Sequence, residues 1–204
     1  MADQTIWTIG TALPGLVGEW SSFSQPPQTS HDILLFNNAE MQILTASNRQ
    51  LHLDWQKFIL DELVKDRLVV VFLNMFELDE EANWHNFSFL PPQASHLAPY
   101  DGRDLQLSPH PVLKPFWEKM SPYLHCSCAF TQPLPIPFAK LKSTGQVAAG
   151  ALKISRGTLV LLPEINWRHP HLFEAGEWST EALSLGPWLQ AYLRKASPHF
   201  KALK

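Results

Sequence analysis

The sequence of 204 residues lacks the features of disulfide-rich and membrane-spanning proteins. Its two cysteines, Cys126 and Cys128, are too close together for an ordinary framework disulfide, and two thiols alone do not make a metal site. No apolar run approaches the roughly 20 residues that cross a bilayer, and the segment MADQTIWTIG lacks the charged and apolar regions of a signal peptide. We therefore expect a cytoplasmic protein.

An excess of charge of one sign is also lacking. The chain carries 16 Lys and Arg against 19 Asp and Glu, a formal net charge of −3. Nucleic-acid-binding domains usually carry a strong positive field, so nucleic acid is not the default partner. Because 45% of the residues are hydrophobic, the chain can bury a sizeable core, and we expect one domain over residues 1–204.

The clearest structural pattern is a helix followed by a strand. Apolar residues in 51–64 recur three and four positions apart, which predicts a helix with one buried face. The unbroken apolar run 68–73 is short and rich in β-branched residues, which predicts a strand covered on both faces. A similar run at 33–36 precedes the helix, so we expect two parallel neighbouring strands joined by a right-handed crossover.

The second half of the chain predicts a late β-hairpin and a closing helix. Apolar segments at 146–154 and 158–162 flank Ser155, Arg156 and Gly157, a sequence typical of a tight turn. We expect Pro163 to end the second strand, and Gly186-Pro187 to divide a helix over 180–196.

Proline is abundant, with 17 residues, and marks long irregular connections. We predict such connections over 74–110 and 131–137, a short helix over 111–120 and a strand over 123–130. These elements predict a single three-layer α/β domain with a mainly parallel, flavodoxin-like sheet.

Three segments carry a resemblance to a known family. They are HDILLFNN at 31–38, RLVVVFLN at 67–74 and VAAGALKISRGTLVLLPEI at 147–165. In this order they resemble the class I glutamine amidotransferase-like family, which has a flavodoxin-like fold. Active members place a nucleophilic cysteine in a glycine-flanked turn directly after the central strand. Here that position falls on Asn74 to Phe76, which contain neither cysteine nor glycine, so the resemblance implies a degenerate member without the nucleophile.

The two cysteines do not replace that nucleophile. Both lie on the predicted strand over 123–130, and free cysteine is commonly buried. We therefore predict that Cys126 and Cys128 are small core residues. No motif predicts a catalytic group, a cofactor or a metal.

Two loops hold candidate partner-binding residues. The connections 75–110 and 164–179 follow apolar strands and, if those strands are parallel, leave the sheet at the same edge. Their candidate residues are Trp84, Phe87, Trp167 and Trp178, aromatic side chains of the kind enriched in binding hot spots. We therefore expect a non-catalytic accessory protein that binds another protein. The other interpretation is that these rings cover an edge of the core.

An alternative function is a small hydrolase or transferase with a polar site at the same edge. Its candidate residues are Glu77, Asp79, His169 and His171, which offer carboxylates and imidazoles for acid-base work or for a cation. The same residues are also typical of solvated loops, which is the interpretation we adopt.

Overall fold

The computed structural model describes residues 4–16, 20–24, 26–27, 29, 31–37, 49–73 and 89–203. The helices of these residues are α1 Arg49–Val64, α2 Lys114–Met120 and α3 Thr180–Lys201, with 3-10 turns at Pro92–Ala94 and Ser121–Tyr123. The strands are β1 Ile6–Gly10, β2 Trp20–Ser21, β3 Ile33–Asn37, β4 Leu68–Leu73, β5 Leu97–Gly102, β6 Leu105–Leu107, β7 Leu124–Phe130, β8 Ile136–Leu141, β9 Val147–Ile154, β10 Gly157–Ile165, β11 Phe173–Glu174 and β12 Glu177–Trp178.

Ten of these strands form one large mixed sheet. Its order is β2-β1-β3-β4-β10-β7-β9-β8-β6, with β5 also paired to β7. The neighbours from β2 to β10 are parallel, and the remaining pairs are antiparallel. Strands β11 and β12 form a separate hairpin. The prediction of an α/β fold with a parallel sheet at its centre is confirmed, as are the neighbouring strands β3 and β4.

The central strands are buried on both faces, because helices pack on each side. On one face Leu34 and Val69 join a core with Trp55 of α1. On the other, Leu35 and Val70 join a core that includes α2 and α3. Every residue of β3 and β4 is buried. The continuous apolar runs thus have the double cover that they require, in a three-layer arrangement.

The helix α3 continues through the predicted break, and that prediction is wrong. It runs unbroken from Thr180 to Lys201 with Pro187 inside it. A proline inside a helix costs roughly 3 kcal/mol, while each fully buried leucine contributes roughly 1.5–3 kcal/mol. Leu185, Leu189 and Leu193 are all fully buried on the same helix, so their packing outweighs the proline.

Glycine at position 186 allows the N-terminal part of the chain to pack closely on α3. A Cβ atom on Gly186 would lie 2.0 Å from the carbonyl oxygen of Pro14, and one on Gly15 would lie 2.0 Å from the carbonyl oxygen of Leu183. Neither position tolerates a side chain unless the two backbones separate.

Two strands, β5 and β6, lie where an irregular connection was predicted, and β8 begins inside the predicted connection 131–137. The prolines of these strands are accommodated at irregularities of the ladder. The register shifts between Pro99 and Gly102 where β5 pairs with β7, and again after Pro137 where β8 pairs with β9. A proline is tolerated at such positions because its missing N–H is not needed by the ladder.

The predicted late hairpin is confirmed, but its second strand is longer than expected. Ile154 lies opposite Gly157, with Ser155 and Arg156 in the turn. Pro163 does not end β10, which continues to Ile165 and pairs with β7. A proline at the end of the parallel ladder leaves the next residues free to pair with another strand.

None of the described helices is both long enough and apolar enough to cross a membrane.

The central core can be tested with one buried charge. Val70 is fully buried, so Val70→Asp places a carboxylate in an apolar layer, at a cost of several kcal/mol against a total stability of about 5–15 kcal/mol. We expect urea denaturation to show no cooperative transition for this variant. Leu53→Asp is the matched control, because Leu53 is 47% exposed on α1, and should cost about 1 kcal/mol or less. Equal stability of the two variants would mean that the core is elsewhere.

Candidate functional site

The parallel strands define one edge of the sheet at which their carboxyl ends meet. Strands β1, β3, β4 and β10 end there at Gly10, Asn37, Leu73 and Ile165. Open α/β sheets usually bind ligands at this edge. The polar side chains near it are therefore the first candidates for function.

Asp101, His125 and Glu164 form a hydrogen-bonded cluster at this edge. Glu164 on β10 lies directly opposite His125 on β7, and Asp101 belongs to β5, which also pairs with β7. The Nδ1 atom of His125 lies 2.7 Å from Oε1 of Glu164, and Nε2 lies 2.7 Å from Oδ1 of Asp101. The histidine thus bridges two carboxylates.

The two carboxylates have different environments. The Glu164 side chain is only 15% exposed, whereas Asp101 is 91% exposed. Burial raises the pKa of Glu164, and the hydrogen bond from His125 offsets this rise only in part. The Glu164 carboxyl is therefore largely shielded from water, whereas the Asp101 carboxylate is almost fully accessible to it.

The geometry requires two protons to be shared among the three groups. An imidazole donates from both nitrogens only when it is charged. A neutral ring donates from one nitrogen, and a protonated Glu164 then supplies the other hydrogen bond. Burial favours the protonated form of the Glu164 carboxyl, so this side chain can donate a hydrogen bond to a neutral His125 ring.

The predicted histidines lie near this cluster but not in it. The rings of His169 and His171 contact each other edge to face with centroids 5.1 Å apart, and His169 also contacts the Tyr123 ring at 5.3 Å. The Tyr123 hydroxyl donates to Oε1 of Glu181 at 2.5 Å. Burial and this carboxylate raise the pKa of Tyr123 to about 12. Within the described ranges, no three His, Cys, Asp or Glu side chains are arranged to hold a metal ion.

Trp167 and Trp178 meet on the loop after β10. Their rings contact edge to face with centroids 6.4 Å apart, and both are half-buried against the core under α3. The Trp167 N–H donates to Oδ1 of Asn37 at 3.1 Å, and the Asn37 amide donates to the Thr11 carbonyl at 3.0 Å. The loop is thus anchored to the carboxyl ends of β1 and β3.

Four predicted site residues lie outside the described residues: Glu77, Asp79, Trp84 and Phe87.

Both cysteines are buried, which confirms their interpretation as core residues. Cys126 and Cys128 are each 1% exposed. Burial raises the pKa of Cys126 to about 12 and the pKa of Cys128 well above its ordinary value. Neither side chain is a thiolate near neutral pH, and the thiolate is the nucleophilic form.

The Asp101–His125–Glu164 cluster was not predicted from the sequence. Pro163 was expected to end β10, and Asp101 was expected to lie in an irregular connection. The cluster depends on pairing between β7 and the last residues of β10, and no local sequence pattern reports that pairing. The polar residues His125 and Glu164, set within otherwise apolar strands, were the available signal.

No protein-family model matches this chain, and no curated protein matches it significantly. The assignment of a function therefore depends on the geometry of the site.

Thiol accessibility tests the state of the cysteines. We expect the native protein to react with Ellman's reagent at least about 100-fold more slowly than the denatured protein, because both thiols are buried and protonated. Lys142→Cys is the matched control, since residue 142 is exposed and should give one fast-reacting thiol. Fast reaction of the unsubstituted native protein would contradict the burial of both cysteines.

Proposed function

We propose that this chain is a non-catalytic accessory protein that binds another protein through residues 164–179, the tryptophan loop. The observation that carries the proposal is the pair Trp167 and Trp178, which is half-buried at the carboxyl edge of the sheet. Each ring keeps part of its surface available to a partner.

Anchoring of the tryptophan loop favours binding. Because Asn37 already holds the Trp167 ring by a hydrogen bond, little side-chain freedom remains to be lost when a partner arrives. Arg168 and His171 are exposed beside the pair. Tryptophan and arginine are the residue types most enriched in binding hot spots.

We further propose that the fold is flavodoxin-like and that the chain is a degenerate member of the class I glutamine amidotransferase-like family. It is supported by the parallel strands β3, β4 and β10 and by the sequence of Asn74 to Phe76, which lacks a cysteine where active members carry one. A cytoplasmic location belongs to the same proposal, because unpaired buried thiols such as Cys126 and Cys128 are ordinary there.

Alanine substitution of the tryptophans tests the interaction. We expect Trp167→Ala and Trp178→Ala to lose the partner that the unsubstituted protein copurifies from its native host, with binding weakened by about 2 kcal/mol or more for each. Binding should be measured at a temperature where circular dichroism shows each variant to be folded. Trp20→Ala is the matched control, because Trp20 is 44% exposed on the edge strand β2, outside residues 164–179, and should keep the partner.

Two results would contradict this proposal. One is retention of every native partner by both folded variants, which would make the rings a cover for the core only. The other is that the unsubstituted protein always elutes alone and at the size of a single chain.

The Asp101–His125–Glu164 cluster favours a second candidate function, a small hydrolase or transferase. Glu164 would orient the His125 ring, and movement of the exposed Asp101 would free Nε2. In a hydrolysis, water would attack an electrophilic carbon while its proton passes to Nε2 of His125. The histidine would then return that proton to the leaving group.

Substitution of His125 tests the second candidate. If the protein hydrolyses p-nitrophenyl acetate, we expect His125→Gln to lower the rate about 10²- to 10⁴-fold, the usual contribution of general base catalysis. His96→Gln is the control, because His96 is an exposed histidine outside the cluster and outside the tryptophan loop. Unchanged hydrolysis by folded His125→Gln would remove the enzyme hypothesis at this site.

A further inference from the structure

A groove of about 390 Å³ lies between the outer side of α3 and the segment that leads into α2. Pro111, Val112 and Pro115 form one wall. The groove has the volume of a small-molecule site, for which roughly 300–1,000 Å³ is usual. None of its lining residues belongs to the tryptophan loop or to the Asp101–His125–Glu164 cluster.

The second wall is a single stripe of α3. Trp188, Tyr192, Lys195 and His199 are spaced four, three and four residues apart, so they lie on one side of the helix. The Trp188 and Tyr192 rings stack at 5.5 Å with their planes 6° apart. The groove therefore has flat walls, aromatic on one side and proline-lined on the other.

A hydrogen bond holds the two walls together. The buried Tyr192 hydroxyl donates to the Val112 carbonyl at 2.9 Å. Burial raises the pKa of Tyr192, so its proton remains available for this bond well above neutral pH. The groove is thus formed before any ligand arrives, which reduces the free energy lost on binding.

The one formally charged side chain of the described lining, Lys195, is cationic. Lys195 and His199 are exposed at its lining, and the described lining includes no Asp or Glu. An anionic group is therefore attracted to this end of the groove. A flat ring gains stacking contacts with Trp188 in addition to buried area, which an aliphatic chain does not.

We propose that this groove binds a small aromatic carboxylate. The ring lies between the prolines and the Trp188–Tyr192 pair, and the carboxylate meets the Lys195 ammonium. This site is separate from the proposed interaction surface, so the failure of either proposal leaves the other intact.

Calorimetric titration with three probes tests the ligand class. We expect 2-naphthoate to bind with a dissociation constant on the order of 100 µM, in keeping with its small number of atoms. The neutral 2-naphthamide tests the charge and octanoate tests the ring, and each should bind at least about tenfold weaker, a difference of about 1.4 kcal/mol. Equal or tighter binding of either control, or no measurable binding of 2-naphthoate, would overturn the proposal.

Substitutions place the ligand in the groove. Lys195→Met keeps the apolar stem and removes the charge, so it should weaken 2-naphthoate to the affinity of the amide and leave the amide unchanged. Lys119→Met is the charge-matched control on α2, outside the groove, and should bind as the unsubstituted protein does. Ala191→Trp should fill the groove and abolish binding of both probes. Unchanged affinity of folded Ala191→Trp would place the ligand elsewhere and overturn the assignment.

Discussion

The structure depends on the need to cover the central parallel strands from both sides. Strands β3 and β4 have no polar face, so neither side of them can meet water without exposing a row of large apolar residues. Helix α1 covers one side through Trp55 and its neighbours, and α3 covers the other. The polar atoms of these strands are therefore available for function only at the strand ends.

Strand β10 links this covered centre to the polar cluster at the edge. Six of its residues, 158–163, pair with β4 in the parallel half, and its last two pair with β7 in the antiparallel half. Pairing with β7 brings Glu164 opposite His125, where the Glu164 side chain is largely buried but still partly accessible to water. Burial in this place raises the pKa of the Glu164 carboxyl.

The sequence predicted those elements that have a strong local pattern. The helix over 51–64, the runs 33–36 and 68–73, and the hairpin at Ser155 and Arg156 all have a period or a turn residue of their own. It failed where a local signal conflicted with tertiary packing: Pro187 suggested a break that burial of α3 overrides. It also failed for the Asp101–His125–Glu164 cluster, because that site is made by strand pairs distant in sequence, which periodicity does not report.

The position of α3 in the chain has a consequence for biosynthesis. The face of the sheet that contains Leu35, Val70 and Val160 is covered by residues 180–201, which a ribosome makes more than a hundred residues after Val70. Until those residues emerge, α2 is the only helix that the nascent chain has made of the two described on that side of its sheet. Exposed apolar strands of this kind are prone to aggregate, so a chaperone that shields them would act on the segment before α3 is complete.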